Sequence, residues 1–385
     1  MIYLGEEMRL DSLTGLRWWA AFGVFLYHLA STRVVHLPFI DIYSVGNFGV
    51  AFFFVLSGFV LTWSAKPEVT ARQFYVRRFA RIYPSHFVAL LLAIPVFYRF
   101  NPDPQMWWQK SPDPLVFITS LFLIQGLWQA APILFGGNPA AWTLSCEATF
   151  YAIFPGLKTA QIAKRSQGRK QQPFYQSYLG FFGLFLLVFS AQLVVFYVLP
   201  NFYQPPIVIT RLPEFFYGVL AAMFLKGRKN PPKVKMWWAY VLLALATVVY
   251  LYGRSVPKED TWAILSTTSG IWMGIVFMFA IMIGALADIT GQRSLMRNQL
   301  LVKGGEWSYC FYLVHATVIY IFLEFVGKTK ETGASIFMAL VIFSIALVVT
   351  AMLHYLVEKP CEKRLRAWGD ARFQRVDRHK VSNGR

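Results

Sequence analysis

Charged side chains are scarce in this chain: they make up 15% of 385 residues, against 56% hydrophobic and 18% aromatic. That balance lies far outside the soluble average, and it excludes a water-soluble globular fold. Cysteine is also rare. Cys146, Cys310 and Cys361 lie far apart with no C-x-x-C pair, so neither a disulfide framework nor a metal-binding cysteine motif is read from them. No H-E-x-x-H, P-loop or G-x-S-x-G pattern occurs, which argues against metal hydrolysis, NTP-driven chemistry and a nucleophile-elbow serine. No polar stretch is long enough for a second domain.

What is present is a series of apolar runs of roughly 20 residues, the length that crosses a bilayer core. Eleven can be drawn, and basic clusters fall between several of them. Lys66, Arg72, Arg77, Arg78 and Arg81 form one; Lys158, Lys164, Arg165, Arg169 and Lys170 another; Lys226, Arg228, Lys229, Lys233 and Lys235 a third; Arg293, Arg297 and Lys303 a fourth; Lys359 to Arg385 adds nine more. Basic residues collect on the cytoplasmic side. Only one choice of non-spanning segment places all the clusters together, and "PLVFITSLFLIQGLW" is the best candidate, being short and followed by Gly and Pro. The expectation is therefore an all-α, polytopic integral membrane protein. It has about ten transmembrane helices, one extra re-entrant or interfacial helix, and both termini on the cytoplasmic face of the inner (cytoplasmic) membrane. Residues 1–366 form the membrane domain and 367–385 a basic tail. Glu6, Glu7 and Asp11 before the first run are wrong for a cleavable signal. The one-sided positive charge is explained without nucleic acid.

Ionisable residues inside spans mark function by default. The first run, "RWWAAFGVFLYH", carries Arg17 and His28 eleven residues apart, about three turns, on one helical face and about 16 Å apart along the axis. Glu147, Arg211, Glu214 and His315 intrude into other runs. Each alone reads equally as a satisfied structural group. Together they indicate a polar interior chamber, because unpaired charges facing lipid are expelled. The chamber contains the parts of a general base: an imidazole, His28, and a carboxylate, Glu147, to orient it. In "FYVRRFARIYP" the cluster Arg77, Arg78 and Arg81 offers either phosphate recognition or ordinary positive-inside anchoring. "HLPFID" gives His36 and Asp41 the His-x4-Asp spacing of glycerolipid acyltransferases, a chance match in a short loop.

The pieces "LDSLTGLRWWAAFGVFLYH", "GNFGVAFFFVLSGFVLTW", "RRFARIYP", "WTLSCEATFYAIFP", "GEWSYCFYLVH" and "EKP" stand in one order along roughly residues 9–366. In that order the chain resembles the acyltransferase-3 family, membrane O-acyltransferases that include O-antigen and peptidoglycan O-acetylases and macrolide acyltransferases. The resemblance implies ten transmembrane helices and an acyl-CoA donor, in the acetyl form, as co-substrate with no tightly bound cofactor or metal. It implies a carbohydrate or glycosylated small molecule as acceptor. Carried over by position, His28 resembles the essential histidine. Arg17, Arg78 and Arg81, with Tyr83 closing the same motif, resemble the donor-binding group. Ser57, Trp142, Arg211, Tyr312 and His315 are taken as lining the substrate cavity. Ala51 departs from the Asp or Ser found in many members, which leaves Ser57 as the nearest hydroxyl. The wording of the first two motifs, without a fused extra domain, most resembles the macrolide subgroup. The competing expectation from intramembrane charge is a transporter or flippase, against which stands the lack of visible inverted halves.

Overall fold

A computed structural model describes residues 9–166, 175, 177–226, 228 and 230–382. The chain folds into α1 (Asp11–Ser31), α2 (Gly49–Trp63), α3 (Ala71–Phe97), α4 (Pro114–Leu121), α5 (Trp142–Ser166) and α6 (Tyr178–Leu193). It continues through α7 (Leu212–Leu225), α8 (Trp237–Ser255), α9 (Ser269–Ile289), α10 (Gln299–Phe325), α11 (Thr332–Met352) and α12 (Lys359–Ser382). Among the described residues no strand forms; one isolated bridge pairs Tyr98 with Lys110. Among the described residues, eight helical runs are long and apolar enough to cross a membrane. α1 and α5, of 21 and 25 residues, are as long but fall outside those eight, against about ten spans expected from the charge pattern.

The segment expected not to span is short. α4 has eight residues, about 12 Å of helix against a hydrocarbon core of about 30 Å. Asp113 caps it by accepting from the Leu115 N–H at 2.8 Å. The irregular chain beyond it meets its polar needs inside the protein, as backbone at membrane depth must. The buried Gln125 amide donates to the Ala141 carbonyl at 3.0 Å and accepts from the Ser145 hydroxyl at 2.9 Å. The Asn138 amide donates to the Leu313 carbonyl at 2.8 Å. This stitching fixes the start of α5 against α10.

Packing sets the orientation of the bundle. α1 and α10 run parallel, with Phe311 against Trp18 and Phe25 at ring distances of 5.4 and 5.6 Å. α2 and α7 approach so closely that a Cβ on Gly218 would collide with the Val55 carbonyl, and one on Gly58 with that of Phe215. Lys226, at the end of α7, donates to the Thr62 and Ala65 carbonyls at 3.0 and 2.7 Å. At the start of α1, the Ser12 N–H and hydroxyl both donate to Asp288 on α9, at 2.8 and 2.6 Å, and Arg297 donates to the same carboxylate at 2.7 Å. α3 begins with a capping box in which Thr70 and Gln73 satisfy each other's backbone N–H groups, as free helix-start donors require.

Arg77, Arg81, Lys226 and Arg297 therefore gather at one end of the bundle, here called the basic end. The side chains of the cluster Lys158 to Lys170, and Lys229, lie outside the described residues. α11 continues through a π-helical stretch, Leu353–Glu358, directly into α12, which lies against α3. The expected boundary at residue 366 falls inside this helix.

Candidate functional site

The interior polar groups divide into two clusters, one at each end of the face of α1 that carries Arg17 and His28. At the basic end, Arg17 shares its electrostatic surroundings with Arg81, Glu358, Glu147 and Tyr151. Arg78 and Arg81, three residues apart on α3 and so only about 60° apart around its axis, meet different neighbours because different helices pack beside each. Arg81 Nη1 lies 2.6 Å from Glu358 Oε1 and 3.0 Å from Glu362 Oε2. Arg77 pairs with Asp370 on α12 at 2.9 Å. Arg78 instead lies over the Phe74 and Tyr151 rings, 5.4 and 5.8 Å from their centroids, with its Nε buried and unpartnered. Among the described residues neither Arg17 nor Arg78 makes an ion pair. Those two guanidinium groups are the ones left to meet an incoming anion; Arg81, expected to share that task, already holds two carboxylates. Tyr83 stacks on Phe79 at 4.6 Å, on the flank of α3 where Phe79 and Phe87 are exposed, away from Arg78.

Glu358 forms a second feature of this end. Its Oε2 accepts from the Cys310 thiol at 3.0 Å and from His354 Nδ1 at 2.5 Å. Cys310, His354 and Glu358 offer metal-ligand atoms within 4.8 Å of one another. A zinc ion at the usual ~2.0–2.2 Å from each ligand would hold nitrogen and oxygen about 3.3 Å apart; the observed spacing is that of hydrogen bonds converging on a carboxylate. Sequence reading missed this knot. The i, i+4 pair His354 and Glu358 in the last apolar run was the available signal.

Glu147 also departs from expectation. Expected to orient His28, it accepts instead from the Tyr151 hydroxyl at 3.2 Å and lies within electrostatic reach of Arg17, Arg78 and Arg81. It belongs to the arginine end because it shares a helix turn with Tyr151, and His28 is about three turns further along α1.

At the far end, the half-buried His28 ring faces the buried His315 ring, with centroids 5.2 Å apart. His315 Nδ1 is 2.7 Å from the Tyr312 carbonyl, and Nε2 is buried without a partner. The Tyr312 ring lies 5.5 Å from that of His315 and within electrostatic reach of Arg211, which links the histidines to a polar pair on α7. There Arg211 Nη1 donates to Glu214 Oε1 at 2.8 Å and its guanidinium lies 5.9 Å from the Trp142 ring. Arg211 Nε and Glu214 Oε2 are buried without partners. Trp142, Arg211, Tyr312 and His315 thus form a chain of neighbours whose last member, His315, faces His28. Ser57, half-buried on α2, has no hydrogen-bond partner among the described residues. Asp41, from the chance His-x4-Asp pattern, pairs with Arg254 at 3.6 Å.

Chemically, the arrangement offers two unpaired guanidinium groups at one end and unprotected imidazole nitrogens at the other, joined along one helix face. The first suits phosphate; the second suits proton transfer.

Comparison with known proteins gives this geometry a family. A family model described as an acyltransferase domain matches residues 10–355. The acyltransferase MdmB of Streptomyces mycarofaciens is 32% identical over 398 residues, covering 93% of each chain. The peptidoglycan O-acetyltransferase OatA of Listeria monocytogenes is 29% identical over 163 residues, which is 38% of this chain and 24% of that protein. The O-acetyltransferase OatA of Staphylococcus aureus is 26% identical over a similar share. No solved structure matches. With the match running through α1, the arginines of α3, α5 and the histidine of α10, the chain belongs to the acyltransferase-3 family of membrane acyltransferases.

Proposed function

We propose that this protein is an O-acyltransferase that moves an acyl group from acyl-CoA to a hydroxyl of a carbohydrate or a glycosylated metabolite, a macrolide among them. The basic end faces the cytoplasm, where positive charge collects, in the inner membrane. The phosphates of the donor meet Arg17 and Arg78. Its pantetheine arm runs along α1, whose polar ends are about 16 Å apart, so that the thioester reaches His28. His28 takes the proton of the acceptor hydroxyl as the oxygen attacks the thioester carbonyl carbon. Collapse of the tetrahedral adduct breaks the C–S bond, and the departing thiolate takes the proton from the imidazolium. The acceptor approaches from the far end, past Trp142, Arg211 and Glu214, whose unpartnered polar atoms suit a hydroxyl-rich ligand.

The observation that carries this reading is the placement of Arg17 and His28 on one interior face of α1, each within its own polar cluster. The test uses the purified full-length protein with radiolabelled acetyl-CoA and a glycosylated macrolide. Label in the macrolide, lost in His28→Ala with the protein still folded, is the expected result. Full transfer by His28→Ala overturns the general-base assignment. Movement of either compound across proteoliposomes without chemistry favours a transporter instead.

A further inference from the structure

A histidine base in acyl transfer needs its second ring nitrogen held, so that one tautomer presents its lone pair to the substrate; in serine hydrolases a buried carboxylate does this. Among the described residues no carboxylate bonds to His28. Its facing side chain is His315, with ring centroids 5.2 Å apart and planes inclined by 40°.

The state of His315 is dictated by its other bond. A carbonyl oxygen only accepts, so the 2.7 Å contact with the Tyr312 carbonyl places the proton on Nδ1 and leaves Nε2 as a bare lone pair. That nitrogen is buried and has no donor, an uncommon condition for a buried acceptor. The other rings against His315 are Phe311, which has nothing to donate, and Tyr312, whose hydroxyl makes no hydrogen bond to that nitrogen. The imidazole that faces it, His28, carries an N–H able to satisfy it.

We propose that His315 is the positioning residue for His28: its bare Nε2 accepts the His28 N–H when substrates fill the chamber, turning the opposite nitrogen of His28 to the acceptor hydroxyl. Donor–acceptor contacts of this kind are often long in an empty site and tighten in the reacting complex. During the reaction the acceptor proton passes to His28. The imidazolium keeps its other N–H on His315, and the proton leaves with the CoA sulfur. A neutral imidazole holds the tautomer without burying an uncompensated anion in the membrane interior. This inference rests on the reading of His28 as the base.

The experiment measures free thiol released from acetyl-CoA by the full-length protein in detergent, with a glycosylated macrolide and with water as acceptors. His315→Phe should lower kcat about 100-fold and leave the KM for acetyl-CoA within about twofold, because the arginine end is untouched. His315→Gln, whose amide oxygen supplies an acceptor near the Nε2 position, should recover about tenfold of that loss. In a His28→Ala background His315→Phe should cost nothing further, as expected for residues acting as a unit. His315→Leu serves the same purpose if phenylalanine impairs folding. Wild-type kcat in His315→Phe, equal losses in the Phe and Gln variants, or additive losses with His28→Ala overturn the proposal while leaving His28 as the base. Full activity in His28→Ala overturns both.

Discussion

The two polar clusters along α1 handle polarity in opposite ways. At the basic end charges are many and mostly compensated: Arg81 against Glu358 and Glu362, Arg77 against Asp370, with Cys310 and His354 completing the Glu358 shell. At the far end the central pair is His28 and His315, with polar atoms left unpartnered on His315, Arg211 and Glu214. Compensated charge gives a rigid frame that leaves Arg17 and Arg78 as a small unpaired residue of positive field. Unsatisfied polar atoms are costly in an empty site and are repaid only when a ligand supplies the missing bonds. On the proposed function, one end grips the donor and the other reacts.

The largest effect should come from the reacting end. His28→Ala is expected to lower kcat by ~10³-fold with acetyl-CoA binding retained, measured as turnover and as ligand protection against heat; an equal loss of binding would merge the two ends. At the gripping end, Arg78→Leu and Arg17→Leu should each raise the KM for acetyl-CoA by about 10- to 100-fold, the ~1.5–3 kcal/mol of a bond to a charged group. The same substitution at Arg77, which is already paired, should change KM little. Equal effects at Arg77 and Arg78 would remove the distinction between paired and unpaired arginines.

Stability tests the frame. Glu358→Ala leaves Arg81 with Glu362 alone and takes the acceptor from the buried Cys310 thiol and His354 imidazole; breaking such a buried pair should cost about 3 kcal/mol, read as a fall in the unfolding midpoint in detergent. The double variant Arg81→Leu, Glu358→Leu should recover much of that, since an apolar pair of similar volume is often no worse. The smallest effect belongs to the surface: Arg366→Ala removes an exposed partner of Glu362 and should change stability by less than about 0.5 kcal/mol.

How much of this was legible in the sequence differs between the ends. The shared face of Arg17 and His28 followed from helical spacing alone, and the brevity of "PLVFITSLFLIQGLW" followed from where the basic clusters must lie. The division between Arg78 and Arg81 did not. Both sit in one Arg-x-x-Arg pattern, and what separates them is which neighbouring helix each meets, information held by α5 and α12 rather than by α3. The partner of Glu147 was misread for a similar reason. A carboxylate and an imidazole in one membrane suggest each other, but depth along the helices decides, and depth depends on the irregular stretch before α5 that Gln125 and Asn138 hold in place. The Glu358 knot joins residues 48 positions apart, beyond any local pattern.

The run from Thr332 to Phe373 is helical over 42 residues, with Glu358 near its middle and Asp370 beyond. The far arm lies along α3, held there by Arg77 on Asp370, so the helix couples the C-terminal end of the chain to the arginines of α3. A bulky fusion attached close to the C-terminus would twist the arm that seats Arg81, so a tag for purification or imaging belongs behind a long, pliant spacer.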